Sequence, residues 1–384
     1  MRLWVLLALG APLADGVSLK GSLWGGARLS AGVDYFNPTF AAPQLTPKQF
    51  LIISSTSEKK IVYTELKNFK STTGRTFALV DSGLTEPRGL AMDHDRGALY
   101  VADSGAKKIF RFHVYQQNVG GSLQLSTDGV QLCVSQNVNS NWVSVDINGD
   151  VFYTDASTNT INRIPVEVIE KLTTGQYAAS DLMLLSEKTL ESGGGATSNV
   201  ALSRYVYSVY EGNVNPHVTT PGGVVSDGAR LYWANTVDGT TAGVLVEGQV
   251  DPQLPQAKSG EPVPTAFPSR VLSNTSSAGY GVTKSSKYVF LSSVNEGVGV
   301  VYGVTEGGVS FDLVGGLSTP RGLVWDGDQT VFVADEAAGV VYAFPAGRLM
   351  SDAPLTKSAV LTGAFGLALM SEQDKAWPMQ PFQN

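Results

Sequence analysis

The chain has 384 residues, of which 43% are hydrophobic and 16% charged, so it is long enough to bury a large core. Its formal net charge is −7 and its lysines and arginines do not cluster, which argues against binding to nucleic acid or to an anionic membrane surface. A single cysteine and three histidines rule out a disulfide framework and provide no zinc-binding pattern.

The N-terminus has the pattern of a secretory signal peptide over residues 1–16. Arg2 precedes a short apolar run, and Ala14-Asp-Gly16 offers small residues at the cleavage positions. The alternative is that this run is a buried first strand. No later segment is apolar for the roughly 18 residues that a membrane-spanning helix needs. We therefore expect a protein that is secreted or held in the lumen of the secretory pathway, with an N-terminal arm over residues 17–49.

The most informative pattern is a long repeat. Residues 83–112 read GLTEPRGLAMDHDRGALYVADSGAKKIFRF, and residues 316–344 read GLSTPRGLVWDGDQTVFVADEAAGVVYAF. Weaker copies of the central strand end at Asp155, Asn235 and Ser293, so successive copies lie 42 to 80 residues apart. A propeller blade of four short strands takes about 40–50 residues. Most steps therefore fit one blade, and the longest fits a blade with an insertion.

The two ends of the chain each carry part of a further copy. Residues 365–370 match the first strand of the repeat, and residues 50–63 match the strands that follow it. A blade assembled from both ends brings the total to six and leaves no open sheet edge in the ring. We predict an all-β fold, a six-bladed β-propeller over residues 50–370 that is closed by this shared blade, with a C-terminal tail at residues 371–384.

The repeat resembles two known families of six-bladed propellers. Gly-Leu-x-x-Pro-Arg-Gly-Leu-Ala-x-Asp, followed by Leu-Tyr-(Val/Trp)-Ala-(Asp/Asn), is similar to the NHL repeats and to the YWTD repeats of LDL-receptor-like proteins. Tyr153-Thr-Asp155 and Tyr232-Trp-Ala-Asn235 come nearest to the YWTD signature. The resemblance implies the fold and leaves the function open, because propellers serve as receptors, scaffolds and enzymes.

Arg88 and Arg321 occupy the same position of the repeat, just before the innermost strand. In the propellers that the chain resembles, this loop borders the mouth of the central channel. Two guanidinium groups there can hold a carboxylate or a phosphate by paired hydrogen bonds. The alternative is that each arginine pairs with a carboxylate of a neighbouring blade or simply lies on the rim. We predict a ligand site for a protein or a small acidic molecule at this mouth, with no cofactor.

Three aspartates, Asp103, Asp155 and Asp335, also share a repeat position. A carboxylate at the end of a strand can accept backbone N–H groups from the following turn, so we expect these residues to hold the blade corners. The segment Asp146-Ile-Asn-Gly-Asp150 resembles a calcium loop but lacks the distant glutamate of an EF-hand, and we expect an ordinary turn.

The competing interpretation is an enzyme. Gluconolactonase-, paraoxonase- and strictosidine-synthase-like propellers are more distantly similar, and the lactonases among them hold a divalent metal in the channel. The resemblance implies that a metal ligand follows the proline of the Pro-x-Gly-Leu turn, where this chain has Arg88 and Arg321. Gly223, Tyr280 and Phe365 fall near this point in the weaker copies. Asn199 is the one candidate ligand, so the residues favour a binding module over a metal-dependent hydrolase or a lyase.

Further candidate residues lie outside the two long copies. Tyr205, Tyr207 and Tyr210 are candidates for ligand contact, although their alternation is equally that of an ordinary strand. Asn274 begins the single glycosylation sequon. Cys133 lies in an apolar alternation, which is typical of a buried, unreactive thiol.

Overall fold

The computed structural model describes residues 48–67, 70–71, 74–186, 205–236, 243–252, 266–274, 278–347 and 350–372. These residues form six small, mainly antiparallel sheets, arranged as the blades of a six-bladed β-propeller. The predicted fold class is therefore confirmed. The predicted signal peptide, and the predicted arm as far as residue 47, lie outside the described residues.

The strands follow the chain blade by blade. The first four are β1 (Gln49–Ser55), β2 (Lys60–Lys67), β3 (Lys70–Ser71) and β4 (Phe77–Val80). Blade 1 contains β5 (Pro87–Asp93), β6 (Ala98–Asp103), β7 (Lys108–Val119), β8 (Ser122–Thr127) and β9 (Leu132–Gln136). Blade 2 contains β10 (Val143–Val145), β11 (Val151–Asp155), β12 (Thr160–Ile164), β13 (Met183–Ser186) and β14 (Tyr205–Glu211).

The second half of the ring is more regular, with four strands in each blade. Blade 3 contains β15 (Pro221–Ser226), β16 (Arg230–Asn235), β17 (Leu245–Gln249) and β18 (Ser269–Ser273). Blade 4 contains β19 (Ala278–Lys284), β20 (Tyr288–Asn295), β21 (Val298–Thr305) and β22 (Ser310–Leu317). Blade 5 contains β23 (Pro320–Trp325), β24 (Thr330–Asp335), β25 (Val340–Pro345) and β26 (Thr356–Val360).

Blade 6 is shared between the two ends of the chain. The last strand, β27 (Ala364–Ser371), pairs antiparallel with β1, so that Phe50 faces Met370 and Ile52 faces Ala368. The sheet then continues through β2 to β3 and β4. This arrangement confirms the predicted closure, because the innermost strand of the blade comes from the C-terminal segment and the others come from the N-terminal segment.

The core lies between neighbouring blades. The inner strands contact one another in the order β27, β5, β10, β15, β19, β23 and back to β27, which closes the ring around a central channel. Leu90 packs between blades 6 and 1 with Phe50 and Tyr63, and it is 7% exposed. Leu323 is 8% exposed and packs with Phe290 between blades 4 and 5. Both leucines are core residues at equivalent sites, as the repeat predicts.

The longest step of the repeat contains an insertion between β12 and the outer strands of blade 2. Helix α1 (Val166–Thr173) buries Val168, Ile169 and Leu172, and a short 3₁₀-helix (Ala179–Asp181) follows it. Neither of these helices, in the part of the chain that the structure describes, has the length and apolar character needed to cross a membrane.

Candidate functional site

The inner strands bring one residue from each blade to the same level of the channel. This residue precedes the glycine of the repeat, and the six positions are held by Arg88, Asn141, Gly222, Tyr280, Arg321 and Phe365. Arg88 and Arg321 are the second residues of β5 and β23, so they belong to the innermost strands rather than preceding them.

The next position is glycine in five of the six blades, and the packing of the inner strands explains why. A Cβ on Gly366 would lie well inside van der Waals distance of the Arg88 carbonyl oxygen, and one on Gly322 would lie 2.5 Å from the Phe365 carbonyl oxygen. The pairing register also shifts at this level, for example between Pro87 and Leu90. The bulged backbones of neighbouring blades therefore approach more closely here than a side chain would permit. Blade 2 is the exception, with Trp142 in the glycine position.

Hydroxyl groups from alternate blades hold this level in place. Ser54 Oγ donates to the carbonyl oxygen of Arg88 at 2.5 Å, Thr154 Oγ1 to that of Gly222 at 2.7 Å, and Ser292 Oγ to that of Arg321 at 2.6 Å. The three donors share one repeat position, which directly precedes Asp103 and its equivalents on the second strand of each blade. The other three blades have alanine at this position. The backbone of both arginines is thus fixed to the preceding blade.

Each of the two arginines is paired with a carboxylate. Arg88 Nη2 lies 2.5 Å from Glu86 Oε1, and Arg321 Nε lies 2.7 Å from Glu336 Oε2. The acids come from different positions of the repeat, one before the Pro-Arg pair and the other after the corner aspartate. These two positions face each other, since the backbone N–H of Ser104 donates to Glu86 O and that of Glu336 donates to Thr319 O. Both long copies therefore have the same arginine–glutamate ion pair. In the first copy the glutamate lies before the Pro-Arg pair, and in the second copy it lies after the corner aspartate.

Aromatic rings fill the space between the arginines. The Phe365 ring lies 5.1 Å from the guanidinium carbon of Arg88 and 5.7 Å from that of Arg321, within cation–π distance of both. The guanidinium carbon of Arg321 also lies 4.5 Å from the centroid of the Tyr280 ring. Trp142 packs against Phe365 in a tilted arrangement, with ring centroids 5.0 Å apart. We call these five residues the mouth cluster.

The mouth cluster brings together residues from five blades. Phe365 is 1% exposed and Trp142 8% exposed, whereas the side chains of Arg88 and Arg321 are 26% and 20% exposed. The Phe365 and Trp142 rings are thus buried at one end of the inner strands, and the two guanidinium groups are partly exposed.

The charges of this end nearly cancel, because two guanidinium groups are matched by two carboxylates. Burial opposes ionisation of Glu86, but hydrogen bonds from Arg88 and Ser104 outweigh it, and the pKa of Glu86 is lowered. Its carboxylate therefore stays charged, and the pair stays formed, into the acidic range. Each arginine therefore pairs with a carboxylate, as the alternative expected, but the carboxylate belongs to the arginine's own blade and not to a neighbouring one.

The described residues do not provide a metal-binding set at this place. No group of three or more histidine, cysteine, aspartate or glutamate side chains converges anywhere within them. The positions from which the lactonase resemblance implies metal ligands carry guanidinium groups, aromatic rings, one glycine and one asparagine. Asn199, the single candidate ligand from the sequence, lies outside the described residues.

The corner aspartates have the structural role expected of them. Asp103 accepts the backbone N–H groups of Thr85, Glu86 and Ala106 at 2.7–3.0 Å. Asp335 does the same for its own blade, with Ser318 and Thr319 at 2.8 Å. These bonds fix the segment that leads into each Pro-Arg pair, and so they help to position the arginines.

The turn predicted at residues 146–150 is also present. Asp146 Oδ1 accepts the backbone N–H groups of Asn148, Gly149 and Asp150, which is the hydrogen bonding of an Asx-turn. The segment connects β10 to β11.

The three candidate tyrosines lie together on β14, at the outer side of blade 2. Tyr205 is its first residue. Tyr207 is half-buried, with its ring 5.7 Å from the guanidinium carbon of Arg163. Tyr210 is 1% exposed and packs on Trp233 with ring centroids 4.9 Å apart. The structure therefore does not bring Tyr207 or Tyr210 into the mouth cluster.

Two other candidate residues are exposed to different degrees. Asn274 directly follows β18 and is exposed, as a glycosylation acceptor must be. Cys133 is half-buried, its thiol donates to the Ser135 carbonyl oxygen, and burial raises its pKa. A raised pKa keeps the thiol protonated and poorly nucleophilic.

The sequence did not reveal Trp142, Glu86 or Glu336 as members of the site. Trp142 was missed because blade 2 lacks the Pro-Arg-Gly signature altogether. The two acids were within reach, because aligning the long copies sets Glu86 against Thr319 and Ser104 against Glu336. The glutamate occupies one of two facing positions in the first copy and the other position in the second copy. This pattern indicates that both copies form the same arginine–glutamate ion pair.

Comparison with known proteins supports the fold. No family model matches the chain, and no curated protein matches it significantly. Among solved structures, one described as a nidogen/laminin complex is similar, with a TM-score of 0.54 and 14% identity over 84% of this chain and 98% of that one. A putative 6-phosphogluconolactonase from Bacteroides uniformis ATCC 8492 is also similar, with a TM-score of 0.50 and 10% identity over 84% of this chain and all of that one. At these identities the likeness establishes the six-bladed propeller and no function.

Proposed function

We propose that this protein is a secreted binding module that recognises a protein partner through the face of the ring that carries the mouth cluster. The observation that supports this most directly is the cluster itself, in which two partly exposed arginines stand against a packed set of aromatic rings. Arginine, tyrosine and tryptophan are the residue types most enriched at the energetic centres of protein interfaces.

The arginines retain capacity to bind. A guanidinium group carries five N–H donors. Arg88 donates from Nη2 to Glu86 and Arg321 donates from Nε to Glu336, and the two side chains are 26% and 20% exposed. A carboxylate of the partner is therefore the complementary group, since it can accept two hydrogen bonds from one guanidinium. Its arrival places a third carboxylate beside Glu86 and Glu336, so aromatic contacts must supply part of the affinity. This balance favours an acidic segment of a protein over a small free acid.

The location of the protein is part of the same proposal. The signal-peptide pattern of residues 1–16 directs the chain into the secretory pathway, where a propeller of this size is stable through its core without disulfides. The exposed Asn274 then becomes a glycosylation site, because the sequon meets the modifying machinery there.

The binding test compares matched arginine variants. Arg88→Gln/Arg321→Gln removes the two guanidinium groups of the mouth cluster. The control is Arg230→Gln/Arg270→Gln, which removes two exposed arginines that both pair with Glu247 on blade 3. The probe is a peptide containing Asp, Glu and Tyr, titrated into the full chain and followed by nuclear magnetic resonance.

Saturable shifts in the wild type and in the control, but not in the mouth variant, are the expected result. Binding that survives in the mouth variant, or shifts confined to blade 3, would contradict the proposed face. Hydrolysis of a lactone or ester by the purified protein would favour the enzyme instead.

A further inference from the structure

Blade 6 lacks a connection that the other five blades have. In blades 1 to 5 a short turn joins the innermost strand to the second strand, for example residues 94–97 between β5 and β6. In blade 6 the equivalent strands, β27 and β1, come from opposite ends of the propeller and are held together by pairing instead of a turn. Their free ends meet at Lys48, Gln49, Ser371 and Glu372, which we call the seam.

Blade 1 carries a hairpin on its third strand. Strand β7 is 12 residues long, whereas the third strands of the other blades have five to eight. Residues 108–111 of β7 pair with β9 inside the blade, and residues 114–119 pair with β8 beyond it. Gly120 and Gly121 form the turn between β7 and β8, and both have the positive φ angles, 59° and 84°, that a two-residue turn of this kind needs. We call residues 114–127 the hairpin.

The hairpin lies against blade 6. Leu125 is 4% exposed and belongs to the apolar cluster that includes Tyr63 of β2 and Met370 of β27. Burial raises the pKa of the Tyr63 hydroxyl, and a hydrogen bond from the Leu125 backbone partly offsets this rise. Strand β8 also contacts β4, and Gln116 Nε2 donates to the carbonyl oxygen of Ser371 at 2.7 Å. A segment of blade 1 thus contacts strands from both ends of the chain.

The contacts of the seam itself are weak. The backbone N–H of Glu372 donates to the carbonyl oxygen of Lys48 at 2.8 Å, and the N–H of Lys48 donates to the Glu372 carboxylate at 3.3 Å. Lys48 Nζ also pairs with Glu65 at 3.5 Å, but both side chains are partly exposed, and an exposed ion pair contributes little stability. Strand ends held in this way fray readily. The bond from Gln116 to Ser371 therefore lies where it opposes fraying.

We propose that the hairpin is a clasp that holds the seam closed and so takes the place of the missing turn. When the hairpin lifts away, β27 loses the hydrogen bond from Gln116 and part of its apolar cover, and it can separate from β1 while the other blades stay folded. Phe365 lies on the same strand, so the mouth cluster keeps this ring only while the seam is closed. The inference concerns the closure of the ring and does not depend on the proposed function.

Hydrogen exchange of the full chain, followed by mass spectrometry, tests this directly. The readout is the exchange rate of the backbone N–H groups of β27, and β15, the innermost strand of blade 3 on the other side of the ring, is the internal reference. In the main variant Asn-Gly replaces residues 115–126. This turn can connect Val114 to Thr127, because the two residues face each other in the hairpin.

A pair of point variants makes the same comparison with less disturbance. Gln116→Ala removes the hydrogen bond to Ser371 and leaves Leu125 in the core. Gln117→Ala is the matched control, since that amide donates to Ser126 within the hairpin.

A reversible cross-link separates the clasp from a general effect on stability. Lys48 and Glu372 extend the antiparallel pairing of β1 with β27, and facing Cα atoms in such a pair lie about 4.5–5.5 Å apart, within the range of a disulfide. Lys48→Cys/Glu372→Cys therefore closes the seam covalently when oxidised and frees it when reduced. Burial raises the pKa of the native Cys133 thiol, so Cys133 competes poorly for the new cysteines.

Replacing the hairpin should speed exchange in β27 about tenfold or more and leave β15 within about twofold of the wild type. Gln116→Ala should give a smaller increase confined to β27, and Gln117→Ala none. In the oxidised cross-linked chain, the replacement should no longer speed exchange in β27.

Three results would overturn the proposal: unchanged exchange in β27 after the replacement, an equal increase in β27 and β15, or an increase that survives the oxidised cross-link. If the chain without the hairpin does not fold, the comparison of Gln116→Ala with Gln117→Ala decides the question, and equal exchange of β27 in these two variants overturns the proposal.

Discussion

Deleting residues 364–384 should unfold the propeller. The deletion removes β27, the innermost strand of blade 6, whose Phe365, Leu367, Leu369 and Met370 are 1–8% exposed. Full burial of one such side chain is worth about 1.5–3 kcal/mol, so four account for about 6–12 kcal/mol. The whole free energy of unfolding of a typical domain is about 5–15 kcal/mol. The loss is therefore comparable with the entire stability, and it also leaves β1 as an unpaired edge that invites aggregation.

Circular dichroism during a thermal melt is the direct assay for this deletion. A chain that ends at Glu372 is the matched control, because it keeps β27 complete and should melt like the full chain. A chain that ends at Gly363 should show no cooperative transition or one at much lower temperature. The same melting curve for all three chains would refute the claim that the shared blade closes the ring.

Three further predictions concern the repeat and the core. Leu90→Ala and Leu323→Ala should each lower the free energy of unfolding by about 2–5 kcal/mol in urea titrations, and losses under about 1 kcal/mol at both sites would mean that the repeat register is wrong. Gly281→Ala places a Cβ against the Arg321 carbonyl oxygen and should cost about 1–3 kcal/mol, whereas Gly315→Ala, which meets open space, should be nearly neutral; equal losses would refute the close approach. Burial raises the pKa of Tyr153 to about 12, so the unfolded chain releases this proton at lower pH than the folded chain. The free energy of unfolding should therefore fall between about pH 10 and 12. Tyr153→Phe should make that decline less steep, and an unchanged slope would contradict the burial of the hydroxyl.

The sequence was sufficient for the fold because the blade is a local unit that recurs. Each copy carries its own alternation and turn residues, so six copies predict six blades without knowledge of any long-range contact. The shared blade was visible for the same reason, since Phe365–Met370 and Phe50–Tyr63 are complementary parts of one copy.

The site was less accessible because its members come from different blades. Sequence comparison placed Arg88 and Arg321 at one repeat position, but their surroundings depend on which rings the neighbouring blades supply. Trp142 replaces a repeat glycine, and its contact with Phe365 reaches past blade 1. The alternation of Tyr207 and Tyr210 is shared by core strands and by ligand-contacting strands, and here Tyr210 lies in the core.

Metal analysis of the purified full chain, together with a panel of lactone and ester substrates, tests the central claim most directly. The account holds that the mouth cluster, with its two guanidinium groups and packed rings, is a binding face and not a metal-dependent catalytic centre. It predicts no stoichiometric calcium or zinc and no hydrolysis that chelation abolishes. One equivalent of tightly held metal, with lactone hydrolysis lost on chelation and restored by the metal, would contradict it.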